Sequence, residues 1–162
     1  MKKIVNPYLT GSNSSEYKCF GCSPNNEIGL HLHFFDNGDD VVAIWEPQKQ
    51  FEGYFNVLHG GIQATILDEI AAWVVNTKCK TAGVTSSMNV KYRNPIFMDG
   101  GPLTIKGKIE SVNRRIATIK AYIENREGKV MAEADIVYFL FNEQDAKAKY
   151  NYPGVEAFYE KE

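Results

Sequence analysis

His59-Gly60-Gly61-Ile62-Gln63-Ala64-Thr65-Ile66-Leu67-Asp68-Glu69-Ile70-Ala71-Ala72-Trp73-Val74-Val75-Asn76 is the stretch on which the fold turns. It holds no proline, opens on a glycine pair and is long enough for a helix of several turns. At about 100° per residue, Ile62, Ile66, Leu67, Ile70, Trp73 and Val74 fall within an arc of roughly 140°, wide enough to face a sheet. Asp68 lies off that stripe. Its neighbours one turn away are Ala64, Ala71 and Ala72, so a ligand or another backbone can approach its carboxylate closely. Glu69 projects about 100° further round, nearer Thr65, Ala72 and Asn76. A single long helix over His59 to Asn76 is predicted.

Upstream, Leu30, Leu32 and Phe34 alternate with His31, His33 and Phe35. The turn signal Asp36-Asn37-Gly38-Asp39 follows, and Val41 to Trp45 completes a hairpin. Downstream come four alternating runs: Thr85 to Arg93, Leu103 to Val112, Ile116 to Glu124 and Val130 to Phe141, the last two joined at Arg126-Glu127-Gly128-Lys129. Asn113-Arg114 links two of them tightly, so successive strands are expected to be antiparallel neighbours. Two strands, one helix and four strands describe an α+β domain in which an antiparallel sheet of about six strands buries one face on one helix. Residues 1–18 read as a polar arm interrupted by Pro7 and Gly11, residues 19–142 as the domain, and residues 143–162 as a tail, either a loose helix or a docked strap.

A chain of 162 residues fits one domain. With 44% hydrophobic and 23% charged residues it can fill a core without disulfides or metal. A formal charge of -2 and a pI near 6.0 argue against a nucleic-acid or anionic-membrane partner. The longest apolar runs, such as Ile70 to Val75 and Ile136 to Phe141, fall far short of the roughly 18 residues that span a bilayer. Met1-Lys2-Lys3 begins like a signal peptide, but Pro7, Thr10 and Ser12 to Ser15 stand where its apolar stretch belongs, so a cytoplasmic location is expected. Three cysteines, Cys19, Cys22 and Cys79, suit free thiols in a reducing compartment.

A helix that begins at two glycines exposes unpaired N–H groups, and the missing side chains let a carbonyl oxygen sit against them. The helix dipole adds roughly half a positive charge there, which favours charge developing on a thioester or ester oxygen. Asp68 stands two turns, about 10 Å, beyond the pair, a separation that a bound acyl group or a partner subunit must span. The plainer reading of the same spacing is a tight helix entry and a solvated aspartate. No serine or cysteine stands in a recognisable triad, so the chemistry falls to a carboxylate that either activates water or attacks the carbonyl itself.

Phe51-Glu52-Gly53-Tyr54 leading into His59-Gly60-Gly61 through Asp68-Glu69 closely resembles hotdog-fold acyl-CoA thioesterases of the phenylacetic-acid-degradation type. Cys19-Phe20-Gly21-Cys22 with Asn26, Gly29 and Leu30 is similar to the opening of that family, and Gly83-Val84-Thr85 through Met88-Asn89-Val90, Tyr92 and Pro95 to its strand after the helix. The match runs from about Cys19 to Phe141. It implies a sheet wrapped round a central helix, paired into a homodimer or dimer of dimers, with active sites between subunits. By position, Gly60 would donate its backbone N–H to the thioester oxygen, Asp68 would be the catalytic carboxylate, and Thr85 would help place water. The chain departs from the family in one respect. Many relatives carry asparagine or glutamine where Gly53 and Glu52 stand, and glycine where Asn56 stands, so Asn56 or His59 becomes the candidate second polarising group.

Coenzyme A would enter as part of the acyl-CoA substrate, with no separate cofactor. Its phosphates need basic partners, for which Lys91, Arg93, Arg114 and Arg115 are candidates. Gly61, Glu69 and Asn94 complete the candidate substrate-binding set. His59 reads better as a hydrogen-bonded turn residue than as a base. The lone CxxC of Cys19 and Cys22, lacking a second pair or a helical histidine pair, predicts no metal. The expected function is hydrolysis of an acyl-CoA to a carboxylic acid and free coenzyme A. The alternatives are a non-catalytic acyl-CoA-binding module and an enoyl-CoA hydratase or dehydratase using His59 with Asp68.

Overall fold

The computed structural model describes residues 1–12 and 14–161. Its centre is helix α1, Gly60–Thr77, which His59 caps: the imidazole Nδ1 accepts the Gly61 N–H at 2.9 Å. Before it come the strands β1 (Lys2–Lys3), β2 (Phe34–Asn37) and β3 (Asp40–Trp45). After it come β4 (Gly83–Tyr92), β5 (Leu103–Asn113), β6 (Ile116–Glu124) and β7 (Val130–Leu140), then the short helix α2 (Glu143–Tyr150). The strands form one antiparallel sheet in the order β1-β2-β3-β5-β6-β7-β4, which packs on α1. This is the hotdog architecture.

The alternating residues Ile105, Ala117, Ile119, Ala121, Ile123, Ala134 and Ile136 are buried beneath the helix residues Ile66, Leu67, Ile70 and Val74. Gly107 permits the close approach. A Cβ there would stand 3.0 Å from Val74 Cγ2 and 3.2 Å from Ile70 Cγ1, so a glycine lets α1 settle onto β5. Ile62 is only partly buried, whereas Gln63, Ala71 and Val75, outside the expected stripe, are buried as well. The second face of the helix is covered by the two ends of the chain. Trp73 stacks on Phe34 at 4.5 Å and meets Phe158 edge-on at 5.6 Å, and Tyr8 donates to Asn76 Oδ1 at 2.8 Å. Trp73 is 4% exposed, so Trp73→Ala is expected to destabilise the fold by about 3–5 kcal/mol, read as a lower urea midpoint.

Three sequence expectations are corrected. The sheet has seven strands, because Lys2–Lys3 pairs with Phe35 and Asp36 at one edge. Residues Leu30 to His33 are not strand: His31 takes a positive φ of 54°, and the N–H groups of Leu30 and Leu32 donate to the carbonyls of Phe20 and Gly21. Their alternating burial reflects packing of an irregular segment. Finally, β4 does not neighbour β5. It joins β7 at the far edge, since α1 carries the chain across the sheet before β4 begins. The tail forms α2 and then a 3-10 turn at Val155–Phe158 whose Phe158 is fully buried.

Candidate active site

Asp68 leaves α1 toward the edge formed by β4 and β7, where two hydroxyls meet it. Thr85 donates to Asp68 Oδ1 at 2.7 Å, and Tyr138 donates to the same oxygen at 2.7 Å and lies 2.9 Å from the Asp68 carbonyl oxygen. Thr85 and Tyr138 are register partners across β4 and β7. Immediately after Thr85 the register slips, Ser87 pairing with Val137, and such a bulge re-aims side chains locally. Burial pushes the Tyr138 phenol well above its usual range and the neighbouring Asp68 adds to this, so the hydroxyl stays protonated and keeps donating. Asp68 Oδ2 is left free of protein donors among the described residues.

At the other end of α1, geometry leaves Gly60, Gly61 and Ile62 without intrahelical acceptors, Gln63 being the first residue to donate back, to the His59 carbonyl at 3.1 Å. His59 Nδ1 takes the Gly61 N–H, and Tyr92 donates to the Gly60 carbonyl at 2.7 Å. Gly60, His59, Gln63, Leu58 and Tyr54 line a surface groove of ≈ 530 Å³. Gln63 is 4% exposed and donates to the Leu58 carbonyl, while its Oε1 has no partner among the described residues.

The other candidates sit elsewhere. Asn56 is a turn residue with φ 61°, its amide donating to Asp99 Oδ1 at 3.1 Å. Arg93 pairs with Glu133 at 3.0 Å, Asn94 donates to the Val130 carbonyl, and Lys91 is exposed opposite Glu133 in the ladder. Glu69 turns away from Asp68 toward the N-terminal segment, accepting from Trp73 Nε1 at 3.1 Å and Cys19 Sγ at 3.3 Å. Burial pushes its carboxyl up to about 8, and Cys19 adds to the rise. Arg114 and Arg115, at the β5–β6 turn, line a cavity of ≈ 550 Å³ with Lys80 and Lys147.

The structure brings Thr85 to Asp68, and beside these candidates it sets Tyr138, Tyr92 and Gln63, which the sequence did not single out. The available signal for Tyr138 was a tyrosine on the inward face of an otherwise aliphatic strand, where a buried hydroxyl needs a partner. Tyr138→Phe keeps the ring in the core and removes one hydrogen bond to a charged group. It is expected to lower kcat/KM for the site's reaction about tenfold with little change in melting temperature.

A single antiparallel sheet curled on one central helix, with a carboxylate held at its edge, defines a hotdog domain. Residues 55–132, a little under half of the chain, match the thioesterase superfamily model. A solved thioesterase superfamily protein is 25% identical at a TM-score of 0.68, over 74% of this chain and 58% of its own, so this chain spans less than two thirds of that relative. A hypothetical thioesterase of Streptococcus pneumoniae TIGR4, solved with coenzyme A, is 25% identical at a TM-score of 0.63, over 68% of this chain and 89% of its own. A Streptococcus mutans UA159 protein bound to acetyl-CoA shares the fold at 19% identity and a TM-score of 0.63, over 68% and 89%. No curated protein matches the chain. No helix among the described residues is long and apolar enough to cross a membrane.

Proposed function

We propose that the chain is an acyl-CoA thioesterase of the phenylacetic-acid-degradation type, releasing a carboxylic acid and coenzyme A. The observation that carries this reading is Asp68, whose Oδ1 is gripped by Thr85 and Tyr138 while the helix start offers the Gly60 N–H. In the general-base form, Asp68 takes a proton from water as the oxygen adds to the thioester carbonyl. The developing oxyanion accepts the Gly60 N–H, and the coenzyme A sulfur leaves with the proton from Asp68. In the nucleophilic form, Asp68 Oδ2 attacks the carbonyl and the coenzyme A thiolate leaves as the C–S bond breaks. Water then cleaves the resulting anhydride to free the acid, restore the Asp68 carboxylate and supply the proton taken up by the thiolate.

Gly60 and Asp68 are about 12 Å apart along one helix, too far to act together on one carbonyl. A homodimer resolves this by bringing the Gly60 of one copy to the Asp68 of another. The exposed edge strand β4 supports that pairing, with Val84 41% and Tyr92 52% exposed beside the site. Three free thiols suit action in a reducing cytoplasm. The bound coenzyme A of the pneumococcal relative and acetyl-CoA of the Streptococcus mutans protein support the substrate class.

The testing experiment is a panel of acyl-CoAs monitored for free thiol and for acid. Thiol and acid released in equal amounts support the reading, and hydration of an enoyl-CoA without thiol release contradicts it. His59 Nδ1 is already engaged by Gly61, which gives the hydratase reading no free base at that atom. The cavity lined by Arg114, Arg115 and Lys80, together with Glu156 and the Lys147–Glu143 pair, is the proposed anchor for the coenzyme A phosphates, which Arg114 and Arg115 would meet. Replacing Arg114 and Arg115 together by alanine is expected to raise KM for an acyl-CoA about tenfold. Turnover of the same acyl group on a truncated thiol lacking phosphates should be unchanged.

A further inference from the structure

Between the N-terminal segment and the outer face of α1, two thiols and a carboxylate converge. Cys19 Sγ lies 3.3 Å from Glu69 Oε1, and one ligand atom from each of Cys19, Cys22 and Glu69 lies within 4.8 Å of the others. Around a tetrahedral zinc ion, bonds of about 2.3 Å to sulfur and about 2.0–2.2 Å to oxygen separate sulfur from oxygen by about 3.5 Å and sulfur from sulfur by about 3.7 Å. The Cys19–Glu69 separation already matches the sulfur-to-oxygen spacing, and the other ligand atoms, all within 4.8 Å, need only a small closure.

The local chain is built to hold it. Cys19 to Cys22 closes a tight turn in which the Ser23 N–H donates to the Cys19 carbonyl at 3.0 Å. Gly21 is needed there, because a Cβ would overlap the Glu69 carboxyl. Outside the three donors, Trp73 Nε1 fixes Glu69 at 3.1 Å, and the Tyr17 hydroxyl lies 3.4 Å from Cys22 Sγ. Such surrounding hydrogen bonds orient metal ligands. Among the described residues Glu69 makes no ion pair, so a largely buried carboxylate beside two thiols lacks a counter-cation.

We propose that Cys19, Cys22 and Glu69 bind one Zn²⁺, with water in the fourth position on the partly buried Cys19 side. On binding, the two thiols release their protons and Glu69 ligates as carboxylate, so three negative ligands meet a divalent cation. The third donor comes from α1, fifty positions beyond Cys19, which is why CxxC spacing alone predicts no metal. Glu69 and Asp68 diverge by about 100° on the helix, so the ion does not reach the reacting carbonyl. It acts as a clip that ties residues 19–22 to the helix turn carrying Asp68.

The test is a Co²⁺ titration of metal-free, phosphine-reduced protein, reading the sulfur-to-cobalt charge-transfer absorption. The expected result is saturation at one Co²⁺ per chain, reversal by Zn²⁺, and loss of the band in Cys22→Ser. Should Cys22→Ser fail to fold, Glu69→Gln preserves the shape of the cluster, and its apparent Co²⁺ affinity is expected to fall at least tenfold. Absence of charge-transfer absorption in the folded wild-type chain overturns the site, and unchanged affinity in Glu69→Gln overturns the assigned donor set. Neither result bears on thioester hydrolysis.

Discussion

Asp68→Asn is expected to lower acyl-CoA hydrolysis by about 10²-fold or more, with circular dichroism and melting temperature close to wild type. The amide is nearly the same size and its oxygen still accepts from Thr85 and Tyr138, so the hydrogen bonds at 2.7 Å that seat the side chain survive. What is lost is the basicity or nucleophilicity of the free oxygen. Asp68 is only partly buried and lies off the apolar stripe, so the substitution costs the core little. Near-normal turnover in this variant would remove the mechanism in both its forms.

Gly60→Pro is the second large effect. Proline at the first helical position removes the N–H proposed to hold the oxyanion, and this is the one helical position where proline is favoured. His59 has φ -59° and ψ 133°, an extended conformation that suits the residue before proline. A Cβ at Gly60 meets the Tyr92 ring at 3.6 Å, an ordinary contact. The variant should therefore fold, while kcat drops by about 10²–10³-fold, the usual cost of one oxyanion donor. Gly60→Ala, which keeps the N–H, should retain most of the activity.

The helix and its polar departures were legible because a period of 3.6 writes itself into Ile66, Leu67, Ile70 and Val74, and Asp68 falls off it. The strands after the helix were legible from alternation, and Ile116–Glu124 coincides with the expected run. Alternation does not say which strand lies beside which. The position of β4 next to β7 depends on where α1 delivers the chain, and only that pairing sets Tyr138 opposite Thr85. Helix geometry also turned Glu69 away from Asp68. What covers it could not be read, because the covering segment is remote in sequence and held by packing of Tyr8 and Phe158, from the two ends of the chain, around Trp73 of α1. Asn56 reads as a polarising amide when only its type is known. Its positive φ and its bond to Asp99 are products of the loop around it.

The central claim is that the helix start of one copy works with the aspartate of another, and mixing two crippled chains tests it most directly. Asp68→Asn and Gly60→Pro chains, each nearly inactive alone, are co-expressed with different tags and the mixed dimer is isolated. One of its two sites then pairs an intact Gly60 with an intact Asp68, and thiol release should return to about half the wild-type rate per dimer. A mixed dimer of verified composition that stays as inactive as its parents would contradict the account.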